Sequence, residues 1–108
     1  MPHKTPFDLA LGSRQARLIY NIAYRGALLQ AQQTAIKMLQ WQWEMCQDQT
    51  EAVYRHDGHP TKLQMIGLEC ESLAGRIEFH QGLARALAQS LDRLQHTLKL
   101  VEHLAQRI

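Results

Sequence analysis

Six histidines and two cysteines are the residues of this 108-residue chain that are best suited to chemistry. His56 and His59 flank Asp57 and Gly58 in one short segment, and two imidazoles with a carboxylate could hold a zinc ion. No further ligand follows at a suitable spacing, and the same four residues also form an ordinary polar turn. The sequence therefore predicts no metal site and no cofactor.

The remaining histidines and the cysteines favour structural roles. His96 and His103 are seven positions apart, which is too far for joint ligation on a helix. His80 falls on an apolar helical face, where a buried, hydrogen-bonded histidine is expected. Cys46 and Cys70 are expected to be small apolar core residues in a reduced protein. A disulfide between them is the alternative if their Cα atoms lie close enough.

Nothing in the sequence indicates catalysis. The chain has no glycine-rich phosphate loop after a strand and no serine in a nucleophile elbow. The carboxylates Glu69, Glu71, Glu78 and Asp92 have the spacing of a solvated helix face. We therefore expect a protein without catalytic residues and without enzymatic activity.

Charge and hydropathy narrow the choice of partners. The 12 basic and 10 acidic residues give a net charge of +2. They are scattered along both halves of the chain, whereas nucleic-acid binders usually cluster their Lys and Arg, so no nucleic-acid partner is expected. No apolar run is long enough for a signal peptide or a transmembrane segment. The sequence predicts a cytoplasmic protein.

Proline and glycine divide the chain into two long helical segments. Residues 1–12 contain Pro2, Pro6 and Gly12 and are predicted to form an irregular lead-in, with Ser13 as the N-cap of the first helix. We predict a helix over 13–54, a turn over 55–61 and a helix over 62–107. The fold class is all-α: residues 13–108 form an antiparallel, coiled-coil-like hairpin of two long helices.

Apolar residues recur on both helices in alternating steps of three and four, which is the pattern of a long helix–helix contact, here called the seam. On the first helix the seam runs from Leu18 to Val53, interrupted by Arg25, Gln32 and Thr50. On the second it runs from Leu63 to Ile108. The predicted hairpin core consists of Ile22, Leu29, Ile36, Leu39, Trp43, Leu73, Ile77, Leu87, Leu91, Leu94 and Leu98.

The first helix carries an additional apolar row, here called the second stripe. It lies two positions beyond the seam, about 200° around the helix and therefore on the opposite face. Part of the second helix is apolar off its seam as well. The second stripe consists of Tyr20, Tyr24, Ala27, Ala31, Thr34, Met38, Trp41 and Met45. The large apolar side chains of the second stripe, together with three from the second helix, are predicted to bind a surface or a partner. We call these eight the contact residues: Tyr20, Tyr24, Met38, Trp41, Met45, Met65, Leu68 and Phe79.

A helix that is apolar on two faces must be covered on two sides, and the other helix of a hairpin covers only one. One interpretation is a homo-oligomer, in which hairpins associate into a larger bundle. The other is adsorption of this face to an apolar surface such as a lipid or a polymer. Thirteen glutamines in place of paired charges suit a reversible coat and an ordinary bundle alike.

Several segments resemble phasins, the small helical proteins that coat polyhydroxyalkanoate granules in bacteria. A short lead-in, Thr5-Pro6-Phe7-Asp8-Leu9, precedes a first helix rich in Ala, Leu and Gln, and the turn contains Asp57 and Pro60. The second helix then contains Lys62-Leu63-Gln64, Glu71-Ser72-Leu73-Ala74 and Leu83-Ala84-Arg85-Ala86-Leu87-Ala88.

The resemblance covers most of the chain and implies a granule-associated protein without catalytic residues. Its amphipathic helices would adsorb to a hydrophobic polyester, and the protein would self-associate when free in the cytoplasm. The alternative is a helical adaptor or chaperone whose same face grips a helix of a partner protein.

Overall fold

Two long helices account for almost all of the chain. The computed structural model describes residues 5–56 and 58–107. Helix α1 spans Pro6–His56 and helix α2 spans Pro60–Gln106. The predicted all-α helical hairpin is confirmed, and the described residues contain no strand.

Helix α1 begins seven residues earlier than predicted, because a capping box closes its first turn. The backbone N–H of Thr5 donates to Asp8 Oδ2 at 3.0 Å, and the N–H of Asp8 donates to Thr5 Oγ1 at 3.2 Å. Pro6 follows at the first helical position, where its missing N–H costs nothing. The predicted irregular lead-in is therefore wrong for residues 6–12, and Ser13 lies inside the helix. Residues 1–4 lie outside the described part of the chain.

The connection between the helices is shorter than the predicted turn over 55–61. Gly58 has a φ of +59° and its N–H donates to the Val53 carbonyl at 2.7 Å, which closes the C-terminus of α1 in the way that helix-terminating glycines do. The N–H of Leu63 donates to the His59 carbonyl at 3.0 Å, so α2 begins directly after His59. Asp57, the third residue of the zinc hypothesis, lies outside the described residues.

The hairpin divides into two compact units. The turn unit comprises residues 31–84 and contains the connection between the helices. Its core consists of Leu39, Cys46 and Leu73, and the half-buried side chains of Trp43, Ile66, Cys70 and Ile77 pack against these three. The seam predicted from the sequence thus forms the helix–helix contact in this unit.

The end unit comprises residues 1–30 and 85–108. Leu18 on α1 and Val101 on α2 are its buried hydrophobic residues. Arg25 interrupts the apolar seam, and its Nη1 donates a hydrogen bond to Ser90 Oγ on the facing helix. This hydrogen bond gives the Arg25 guanidinium a partner, and burying that group unpaired in the apolar seam would be costly.

The core of each unit is thin. Of the predicted core residues only Leu39 and Leu73 are buried, because two helices shield a seam from one direction and leave its flanks open. No described side chain is fully enclosed. The remaining predicted core residues are half-buried, namely Ile22, Leu29, Ile36, Trp43, Ile77, Leu87, Leu91, Leu94 and Leu98.

Candidate interaction surface

All eight contact residues lie on the outside of the hairpin. Each leaves between 51% and 69% of its surface exposed. The helical repeat explains this placement on α1, since a residue two positions beyond the seam points away from the facing helix. Five of them belong to α1 and three, Met65, Leu68 and Phe79, to α2.

The structure brings some contact residues together locally. In the end unit the rings of Tyr20 and Tyr24 stack one helical turn apart, with centroids separated by 6.4 Å and planes inclined by 7°. In the turn unit Met38 and Trp41 line a groove of about 260 Å³ together with Lys37 and Gln42. These pairs form continuous apolar ridges on α1.

A larger groove follows in the turn unit, with Trp41 and Met45 on its α1 side. Its volume is about 480 Å³. Its floor contains Leu73 and Cys46, so it reaches into the core of the turn unit. Its other lining residues are polar or charged and come from both helices: Gln42, Gln49, Glu69, Ser72 and Arg76.

The other flank of the turn unit is also open. A groove of about 450 Å³ is lined by the seam residues Trp43 and Ile77, beside Gln40, Glu44 and Ala74. The seam is therefore accessible from both sides, which leaves apolar surface available to a further helix or to an apolar medium. This is the geometric consequence of a layer only two helices wide.

Further apolar side chains are exposed outside the eight contact residues. Phe7 and Leu9 fall within the predicted lead-in, and the sequence signal for their helical placement is the Thr5–Asp8 spacing of a capping box. Other exposed residues were passed over because they continue neither the seam nor the second stripe, namely Ile19, Leu28, Tyr54, Leu83, Leu100 and Leu104.

The polar residues of the seam have local partners. His80 is half-buried, and its Nδ1 lies within hydrogen-bond distance of Gln32 Oε1. Because a carbonyl oxygen only accepts, Nδ1 carries the proton in this pair. The His80 ring also packs edge-on against Phe79, with centroids 5.6 Å apart. His80 is thus a structural residue of the seam, and its partner Gln32 lies one helical turn before Ile36 on α1.

Cys46 and Cys70 both carry free thiols. A side-chain hydrogen bond with Cys70 and, secondarily, burial raise the pKa of Cys46 to about 11. Among the described residues no group of three His, Cys, Asp or Glu side chains could hold a metal ion. The set of His56, Asp57 and His59 includes Asp57, which lies outside the described residues.

Comparison with known proteins assigns neither a family nor a function to this chain. No family model, no curated protein and no solved structure matches the chain. Neither described helix has a stretch that is long and apolar enough to cross a lipid bilayer. The resemblance to phasins therefore stays a prediction, and the exposed apolar residues are the observation from which a function can be argued.

Proposed function

We propose that this protein is a non-catalytic, phasin-like coat protein. Its contact residues bind the surface of polyhydroxyalkanoate granules or of another apolar body, and the protein self-associates when that surface is absent. The observation that carries the proposal is the exposure of Tyr20, Tyr24, Met38, Trp41, Met45, Met65, Leu68 and Phe79 on a chain with five buried hydrophobic residues among those described.

The energetics suit a reversible coat. Complete burial of a large apolar side chain contributes about 1.5–3 kcal/mol, and the contact residues have roughly half of that still to gain. Eight of them give about 6–12 kcal/mol, which corresponds to affinities from tens of micromolar to nanomolar before the cost of ordering is subtracted. Such a protein can adsorb to a surface and leave it again.

The same surface supports self-association. Two lone helices provide little core, and small domains of this kind usually gain stability from a partner. A second copy laid on the larger groove of the turn unit would cover the contact residues Trp41 and Met45 together with the seam residue Leu73. Adsorption and self-association would then compete for one set of side chains.

Partition onto polyhydroxybutyrate granules tests the proposal. In the variant Met38→Glu/Trp41→Glu two exposed apolar contacts become charged. We expect at least a tenfold loss of bound protein in a sedimentation assay, because a carboxylate stays hydrated instead of entering an apolar surface. Both residues are more than 60% exposed, so the helical content and stability of the free protein should change little.

A matched control adds the same charge elsewhere on α1. Gln33 and Gln47 are exposed polar residues outside the second stripe. The variant Gln33→Glu/Gln47→Glu should partition like the wild type. Equal binding by the wild type and both variants would contradict the proposed role of the second stripe.

A helical adaptor is the second candidate, favoured by the groove that runs between α1 and α2 in the turn unit. Its apolar floor and polar rim suit an amphipathic helix of a partner protein. The variant Ser72→Trp would fill this groove without changing Met38 or Trp41. Loss of a co-purifying protein with unchanged granule binding would assign the groove to an adaptor role.

A further inference from the structure

The two cysteines of the chain meet in one layer of the turn-unit core. Cys46 comes from α1 and Cys70 from α2, 24 positions later in the sequence. Cys46 is only 4% exposed and belongs to the cluster with Leu39 and Leu73, and Cys70 packs against that cluster. The fold therefore places both thiols at the same level of the seam.

A hydrogen bond places the Cys46 thiol against α2. Cys46 Sγ donates to the Ile66 carbonyl at 3.5 Å. Ile66 precedes Cys70 by one helical turn, so the Cys46 sulfur lies against the stretch of α2 that carries Cys70. Cys70 itself packs against the cluster that contains Cys46, and its proximity is the largest cause of the raised pKa of Cys46.

Small reagents can approach this pair. Cys46 lines the groove of about 480 Å³ beside Trp41, Glu69 and Ser72. Cys70 is only half-buried. The layer thus differs from a sealed core, in which cysteines are chemically inert.

We propose that Cys46 and Cys70 form a reversible intramolecular disulfide that staples α1 to α2 beside the turn, with a low-molecular-weight disulfide such as oxidised glutathione as the oxidant. The proposal is independent of what the contact residues bind. It adds a covalent modification site to a hairpin that has no other cross-link between its helices among the described residues.

The exchange takes place in two steps. The Cys70 thiolate attacks one sulfur of the oxidised glutathione, its S–S bond breaks, and one glutathione thiolate leaves. Cys46 then gives its proton to solvent and attacks the Cys70 sulfur, which releases the second glutathione thiolate. The protein loses two thiol protons and two electrons, and one glutathione disulfide becomes two glutathione thiols.

Cys70 is the attacking sulfur because it is the more exposed of the two. Cys46 stays protonated near neutral pH and serves as the resolving thiol in the second step. Its position against the Ile66 carbonyl holds it beside the mixed disulfide. Intramolecular closure then proceeds at a high effective thiol concentration, unlike a reaction between two separate chains.

A redox titration of the full chain tests the proposal. The protein is equilibrated in glutathione buffers of increasing oxidised fraction, with and without guanidinium, and free thiols are then alkylated and counted by mass spectrometry. In the native protein we expect the intramolecular disulfide to form at a redox ratio roughly a hundredfold more reducing than in the unfolded chain. The oxidised protein should melt about 10 °C higher than the reduced one.

Two results would overturn the proposal. One is an identical midpoint in native and unfolded protein, which would mean that the fold does not juxtapose the thiols. The other is that a non-reducing gel shows a disulfide-linked dimer while mass spectrometry finds no monomer with an intramolecular disulfide, which would be two hydrogens lighter. The variant Cys70→Ser should abolish the intramolecular product, and the wild-type titration stands by itself if that variant folds poorly.

Discussion

The seam and the second stripe of α1 have the same spacing but opposite environments. Every position of the seam between Leu18 and Val53 is buried or half-buried. Every position of the second stripe between Tyr20 and Met45 is exposed. Leu39 and Met38 are neighbours in sequence, and 5% of one and 61% of the other is accessible to solvent.

The difference teaches that apolar periodicity indicates a face in need of cover, while the number of available helices decides whether it is covered. One hairpin offers a single facing helix, so one row is shielded and the other stays open. The second stripe is therefore surplus to the fold of one copy. This exposed apolar surface is the feature on which the proposed interaction rests.

The largest difference in stability is expected between two alanine variants at neighbouring positions, one on each face of α1. Leu39→Ala removes buried methyl groups from the turn-unit core and should lower the free energy of unfolding by about 2–5 kcal/mol. Met38→Ala should change it by less than about 0.5 kcal/mol, because the side chain is already in water. Urea denaturation followed by circular dichroism measures both.

Similar losses from the two truncations would break the comparison. Such a result would mean that Met38 is covered in solution, as it would be in an assembly of several copies. Repeating the denaturation at several protein concentrations would identify that case, since the stability of an assembly depends on concentration.

An intermediate effect is expected at two glycines. Gly75 lies on α2 in helical steps with Leu68 and Phe79, and a Cβ there meets nothing within 4 Å. Gly75→Ala should raise the free energy of unfolding by about 0.5–1 kcal/mol through helix propensity. Gly58→Ala should lower it by about 1 kcal/mol, because Gly58 has a positive φ.

Thermal denaturation of both glycine variants provides the measurement. A stabilised Gly75→Ala protein would show that this side of α2 is open in solution. A destabilised one would show instead that another chain packs closely against Gly75, which would sharpen the location of a self-association contact.

The last effect concerns how the stability of the protein depends on pH through the thiol of Cys46. The pKa of Cys46 is raised to about 11, so the folded state holds this proton more tightly than the unfolded state, whose thiol has the ordinary value of 9.0. The resulting stability is fully present below pH 9 and is lost as the pH rises towards 11. Between pH 8.5 and 10.5 the Tm of the reduced wild type should fall more than that of Cys46→Ala, because only the wild type carries this thiol. Equal losses would show that Cys46 makes no such contribution.

Much of the fold could be predicted because helix signals are local. The absence of proline from residues 14–54 and 62–107 indicated two helices, and Gly58 with Pro60 indicated the connection between them. Proline and glycine usually interrupt helices, so Pro6 and Gly12 predict an irregular lead-in where the structure has the start of α1. Pro6 is favourable at a first helical position, and the pairing of Thr5 with Asp8 outweighs the cost of Gly12.

The residues of the candidate surface could be predicted from the sequence, but the groove beside them could not. The steps from Tyr20 to Met45 predict five large exposed side chains on one face of α1, and all five are exposed. The groove that joins Trp41 and Met45 to Ser72 and Arg76 depends on how two helices align, which no single-helix pattern encodes. The role of the contact residues stays a prediction.

By itself the sequence determined two helices, the connection between them and the identity of the apolar rows, because each follows from backbone geometry within a few residues. Tertiary structure alone decided how thin the core is and which grooves open beside it. Those properties depend on contacts between residues distant in sequence, where the outcome is set by how many apolar surfaces are available to cover one another.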